Sequence, residues 1–245
     1  MEIIIPNWRT PKNIKALTTT RNFGCSINEF ASNNFGLHIN DNTEHVLKNR
    51  INLAKEHNLP SEPIWLNQTH SNICVVVEDN FPNINADAAI TKDSRFPLVI
   101  MTADCVPILI CHKLGTEIGA IHAGWKGLLN GVIENTFTNL SDRPENYIAW
   151  IGPAICQNCY QTGKEVMSEF MIKFSDSIKF FKTTNTNINA NLPGIAEYIL
   201  NNLGVKKIYQ SNECTFEKTN KFYSYRKSAK TGRMASLIWF QDGIK

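Results

Sequence analysis

Residues 98–127 read LVIMTADCVPILICHKLGTEIGAIHAGWKG. Three apolar runs stand in this stretch, Leu98 to Met101, Ile108 to Cys111 and Ile118 to Ile121. Each is short and bounded by polar or turn-forming residues, which predicts strands buried on both faces. Working outward, the same reading places strands at Pro63 to Leu66, Ile73 to Val77, Ala88 to Thr91, Ile148 to Ile151, Lys207 to Tyr209 and Ser236 to Phe240. Helical spacing is rarer. Asp41 and Glu44 have capping-box spacing at the head of a helix reaching about Asn58, with Leu47, Ile51 and Ala54 on one face. Further helices are expected over Leu128 to Leu140, Lys164 to Phe174 and Leu192 to Leu203, the last closed by Gly204. The polar stretch Thr183 to Asn191 reads as a surface loop. Strands cluster first and helices mix in later, so the expected fold is α+β: a layered fold with central mixed β-sheets flanked by helices. No linker or repeat divides the chain, and residues 1–245 read as a single domain.

Composition bounds the function. The chain has 245 residues, 25 basic against 22 acidic, a balance too even for a nucleic-acid footprint. It contains no apolar run long enough for a transmembrane helix, and its Met1-Glu2-Ile3 opening lacks the form of a signal peptide. Seven cysteines, an odd number in a chain of this size, suit a reducing compartment. A cytoplasmic, monomeric protein with no membrane or nucleic-acid partner is the expectation.

Three predicted strands end in metal-capable residues: His70 in NQTHS, Cys105 in TADCVP and His122 in AIHAGWKG. Two histidines and one cysteine leave a tetrahedral zinc one open position, as a catalytic zinc requires. Gly119, Gly124 and Gly127 around His122 suggest close backbone approach or positive φ. Spacing alone leaves open a surface histidine and a core thiol. Asp104 and Asp87 are candidates for moving a proton; Asp104, next to Cys105, equally suits orienting a ligand, and Asp87 equally suits capping a turn. Cys156-Gln157-Asn158-Cys159 is a single CxxC without an evident second pair, and reads as two ordinary thiols. Trp65, Trp150 and Trp239 read as core, whereas Trp125 stands where it could wall a pocket.

The segments NQTHSNICVVV, MTADCVPILI, GAIHAGWKGLLNGVIENT, WIGPAI with CYQTG, and YSYRKSAKTGRMASLIW resemble the YfiH-type family, in order, from about residue 17 to 240. That family carries three names: polyphenol oxidase, peptidoglycan editing factor and purine nucleoside phosphorylase. The resemblance implies zinc held by His70, Cys105 and His122. It also implies phosphorolysis of adenosine, inosine, guanosine and methylthioadenosine, with hydrolytic deamination of adenosine. Departures are local. Lys126 stands where the family usually has arginine, keeping the charge without the fork. Asn33 replaces an apolar residue, and Phe23-Gly24 retains one glycine of a pair.

Phosphorolysis passes through an oxocarbenium-like transition state and needs cations for phosphate. Arg21, in TTRNFGCS, and Lys126 and Arg226, within the matching motifs above, are the candidate cations. Asn34 and His38, in FASNNFGLHINDN, are candidates for ribose or base; both further segments also resemble the family. A cysteine hydrolase with Cys105 as nucleophile and His122 or His70 as base is the alternative reading, and suits the peptidoglycan name. A purely structural zinc module would want a fourth protein ligand. Six histidines, none in a His-x-His pair, are too few for a four-copper oxidase. Copper nonetheless competes for nitrogen and sulfur donors in vitro.

Overall fold

The computed structural model describes residues 1–79 and 84–241. In chain order these form β1 (Ile3–Ile4), β2 (Ile14–Thr19), α1 (Thr43–Glu56), β3 (Ile64–Trp65), β4 (Cys74–Val76), β5 (Ala88–Thr91), β6 (Leu98–Thr102), β7 (Val106–His112) and β8 (Ile118–Ala123). They continue with α2 (Trp125–Asn130), α3 (Val132–Asn139), β9 (Tyr147–Ile151), β10 (Gln161–Thr162), α4 (Lys164–Lys173), β11 (Phe181–Thr183), β12 (Ile188–Ala190), α5 (Leu192–Leu203), β13 (Lys207–Gln210) and β14 (Met234–Phe240). One mixed sheet has the order β1-β2-β14-β6-β3 and a second the order β13-β9-β7-β8-β5-β4. A small third sheet is β10-β12-β11.

Side-chain alternation turns these sheets into layers. On β7, Leu109 and Cys111 meet Leu98 and Ile100 of β6 and Ile238 of β14, filling the space between the two large sheets. Ile108 and Ile110 of the same strand point the other way, into a core with Leu128, Ile133, Ile195 and Ile199 from the helices. The outer face of the five-stranded sheet, with Val99, Leu237 and Trp239, is covered by Leu53 of α1. The result is α1, sheet, sheet, then the remaining helices. The central strands are apolar on both faces because both faces are covered, as their continuous runs implied.

Every strand expected from the apolar runs is present, with ends shifted by a few residues. Four readings change. Asn42, not Asp41, caps α1: its side chain accepts from the Glu44 and His45 amides. Asp41 instead accepts a bond from Asn34. The buried face of α1 is Val46, Asn49 and Leu53, whereas Leu47 and Ile51 are exposed. Asn49 is the reason: its buried side chain ties α1 to Cys25, Ser26 and Asn34, and so fixes the helix rotation. The single helix expected over Leu128 to Leu140 is two, broken at Gly131, whose φ of 89° is left-handed. Within the polar stretch Thr183 to Asn191, residues Ile188–Ala190 form the central strand of the small sheet.

β2 escaped the sequence reading because Lys15, Thr18 and Thr19 interrupt its apolar run. Its buried polar atoms are satisfied across the sheet: Thr18 Oγ1 bonds Ser236 Oγ at 2.7 Å, and Thr19 Oγ1 accepts from the Ala235 amide. The revised α1 face is testable by urea denaturation. Leu53→Ala should cost about 2–5 kcal/mol, and Ile51→Ala should stay within about 0.5 kcal/mol.

Candidate metal centre and cavity

His122 closes β8, and the ladders around it set the geometry. β5 pairs with β8, Ala88 opposite Ile121, so Asp87 arrives beside His122. The His122 amide donates to the Asp87 carbonyl at 2.7 Å. The side chains meet as well: His122 Nδ1 lies 2.7 Å from Asp87 Oδ1. With Nδ1 protonated and donating, Nε2 is left as a lone-pair donor.

The same carboxylate, through Oδ1 and Oδ2, organises the loop that follows β3. The carboxylate accepts from the backbone amides of Thr69, His70 and Ser71 and from the Ser71 hydroxyl, at 2.6–3.1 Å. Asp87 is fully buried. Burial would raise its pKa, but the bonds from His122 and Ser71 outweigh burial and hold it down at about 2. His70 sits on this loop with φ of 60°, the left-handed region uncommon for a non-glycine residue.

Cys105 comes from the turn between β6 and β7. Its Sγ lies 3.9 Å from His70 Nε2, and one donor atom each from His70, Cys105 and His122 all fall within 4.8 Å of one another. Burial pushes the Cys105 thiol up, but the adjacent imidazoles of His122 and His70 more than compensate and bring it to about 6. His122 is lowered by burial and raised by Cys105 and Asp87, to a net value of about 9. The pair therefore favours thiolate beside imidazolium, or thiolate and neutral imidazole around a cation. This donor set fits a zinc-type ion with an open position. Of the three glycines flanking His122, Gly124 is the one at the centre. A Cβ there would lie 3.0 Å from His70 Cδ2 and 3.1 Å from Cys105 Sγ, so close approach, not φ, demands glycine.

The triad forms one wall of a cavity of about 500 Å³. His38 and Arg226, both expected from the sequence, line it, as does Trp125. Arg21, Asn34 and Lys126 do not. The Arg21 guanidinium donates to the Ala31 and Thr219 carbonyls and lies over Tyr223. Asn34 is buried, its side chain spent on Gly36, Asp41 and the Arg233 amide. Lys126 is exposed and lies over the Trp125 ring. Asp104 lines the cavity with φ of 92°, but its oxygens accept from Thr215 Oγ1, Ser224 Oγ and the Arg226 amide. Those bonds make it a brace between the Cys105 turn and the Arg226 segment, which agrees with the orienting role, one of the two the sequence offered it, and not with a free proton carrier.

Sequence reading missed Arg233, Tyr160, Tyr225 and Gln68 as cavity residues. Arg233 is the consequential one. Burial lowers its pKa, and it sits near Tyr225, 5.8 Å from the ring centre. Its place in RMASLIW, directly before an apolar strand, was the available signal. His38 is held neutral by burial and by the charge of Arg233.

The family model for multi-copper polyphenol oxidoreductase laccase matches residues 15–241. The Escherichia coli protein named purine nucleoside phosphorylase YfiH is 38% identical over 97% of this chain and 98% of its own. The chain belongs to the YfiH family. Another YfiH-family relative, a purine nucleoside phosphorylase from Haemophilus influenzae, is 43% identical over 98% of this chain and the whole of the other. The crystal structure of Neisseria meningitidis protein NMB0706 superposes with a TM-score of 0.94 at 35% identity, covering 98% of this chain and 100% of that one. The layered α+β fold is thus the YfiH fold.

Asp87 is the checkable element of this centre. Asp87→Asn removes the negative charge and replaces one of the two acceptor oxygens that orient His122 and the His70 loop with a donor. Zinc affinity, measured by competition with a chromogenic chelator, should fall about 10–100-fold.

Proposed function

We propose that the chain is a metal-dependent purine nucleoside phosphorylase that also deaminates adenosine, with zinc held by His70, Cys105 and His122. The observation that carries this reading is the placement of the triad in the wall of a nucleoside-sized cavity that also presents Arg226 and Arg233. The names of the full-length relatives support it. When bound, the metal supplies Lewis-acid polarisation and acidifies water at the site.

The chain's own residues do the rest. Asp87 fixes the His122 tautomer and the His70 loop. Arg226 spends Nη1 on the Gln161 carbonyl and Arg233 spends Nη1 on the Thr231 and Gly232 carbonyls; their remaining N–H groups, unlike those of Arg21, lie at the cavity and serve phosphate. The aromatic faces of Trp125, Tyr160 and Tyr225 give a purine a stacking wall. Phosphate oxygen then forms the bond to C1′ as the glycosidic bond breaks, and the electron pair leaves with the purine. Neutral His38 has an N–H to donate to the departing base. In deamination, water adds at C6 and ammonia leaves.

A thiol-hydrolase reading draws on one observation, the line from Asp87 through His122 toward Cys105. Elemental analysis and product chromatography separate the two. Cys105→Ala should lose one metal equivalent and turnover of inosine with phosphate, while retaining the wild-type melting temperature. Metal-free protein that turns over and is silenced by alkylation of Cys105 contradicts the metal reading. Arg233→Ala should raise KM for phosphate roughly tenfold or more, the worth of a charge-assisted hydrogen bond. Lys126→Ala should leave that KM unchanged.

A further inference from the structure

A second cluster of metal-capable side chains lies outside the triad. Cys156, Cys159, Cys214 and Glu217 each bring one donor atom, and all four atoms fall within 4.8 Å of one another. The sequence pairing is Cys-x-x-Cys with Cys-x-x-Glu. A search for a second Cys or His pair misses it because the fourth member is a carboxylate. The two loops are similar in build. Residues 157–159 and 215–217 are turns, and each follows a cysteine. The Cys159 and Tyr160 amides donate to the Cys156 carbonyl, and the Lys218 amide to the Cys214 carbonyl. A bridge between Ala154 and Cys214 brings the loops side by side.

The distances suit one small cation. Glu217 Oε1 lies 3.6 Å from Cys159 Sγ and 3.8 Å from Cys156 Sγ. Donors around a tetrahedral zinc stand roughly 3.3–3.8 Å apart, given bonds of about 2.0–2.3 Å. The Cys156 amide points at Cys214 Sγ at 3.3 Å, a donor suited to a thiolate. All three cysteines are free thiols. Without a cation, the Cys156 and Cys159 thiols donate to the one carboxylate oxygen, Glu217 Oε1, and Cys214 Sγ accepts from the Cys156 amide. Lys218, next to Glu217 in the chain, is paired with Glu213.

We propose that Cys156, Cys159, Cys214 and Glu217 form a structural zinc site, closed by four protein ligands and separate from the triad. Binding releases the three thiol protons to solvent, so the site carries three thiolates and one carboxylate around the ion. Its role follows from its neighbours. Ile155 and Tyr160, flanking the CxxC, line the cavity, and Thr215 bonds Asp104 beside Cys105. The ion therefore ties together two loops that shape the cavity, without touching a ligand in it. Thiolate softness and tetrahedral closure favour zinc over harder cations.

The site is tested in full-length protein carrying Cys105→Ala, which removes the sole thiolate of the triad. Cobalt is added under reducing conditions and the thiolate-to-cobalt absorption is read, with zinc counted by elemental analysis of the zinc-loaded protein. The proposal expects the absorption band and one tightly held zinc in this background. Adding Cys159→Ser should abolish both, and adding Glu217→Gln, at an exposed position, should weaken zinc roughly tenfold with the fold intact by circular dichroism. In the wild type, chelation of this zinc should lower the melting temperature. Absence of the band in Cys105→Ala, or native thiols at 156, 159 and 214 that react freely with a disulfide reagent in zinc-loaded protein, would overturn it. The outcome is independent of the triad, so it stands or falls apart from the proposed catalysis.

Discussion

One fully buried carboxylate, Asp87, holds the centre together. It accepts from three successive loop amides, one hydroxyl and one imidazole. An unpaired carboxylate in that position would be prohibitively costly, so the donors around it are obligatory. Satisfying them has a geometric consequence: the His70 loop cannot leave and His122 cannot rotate. Two ligands from distant parts of the chain are set by a single acceptor.

The sheets supply the third ligand and the wall. β7 and β8 run antiparallel with Pro107 opposite His122, which puts the turn bearing Cys105 against the end of β8. Gly124 lets His70 and Cys105 pack closely against its backbone, where a Cβ would lie 3.0–3.1 Å from both. Asp104, in a strained left-handed conformation of the kind that costs of order 1–3 kcal/mol, is held by Thr215, Ser224 and Arg226. The C-terminal strand β14 thereby couples its preceding loop, with Arg226 and Arg233, to the same centre. The four-layer core is the rigid support, and the chemistry sits where strand ends and loops converge at its edge.

Much of this was legible in the residues. The apolar runs located the central strands because burial on both faces leaves a continuous pattern. The triad residues stood out because each follows an apolar run, although only His122 lies at a strand end and His70 and Cys105 sit on the loop and turn beyond one. What failed to show was polar burial. β2 hides in threonines whose hydroxyls pair across the sheet, and the rotation of α1 is set by buried Asn49 against the pull of Leu47 and Ile51. Charge was equally misleading: Arg21 and Lys126 lie in matching motifs, yet one binds carbonyls and the other faces solvent. Arg233 lies in the matching C-terminal segment with Arg226, Lys227 and Lys230, and only its place directly before a strand sets it apart from them. The Cys-x-x-Glu partner of the CxxC emerges only when Cys214 is brought beside Ala154.

The central claim is that Asp87 sets His70 and His122 so that they and Cys105 hold one ion. The direct measurement is anomalous diffraction at the zinc absorption edge from crystals of zinc-loaded protein. The account predicts a peak bonded to Cys105 Sγ, His122 Nε2 and a ring nitrogen of His70, weakened or lost in Asp87→Asn. A map with no peak between these residues, or an Asp87→Asn crystal with the peak undiminished, would contradict it.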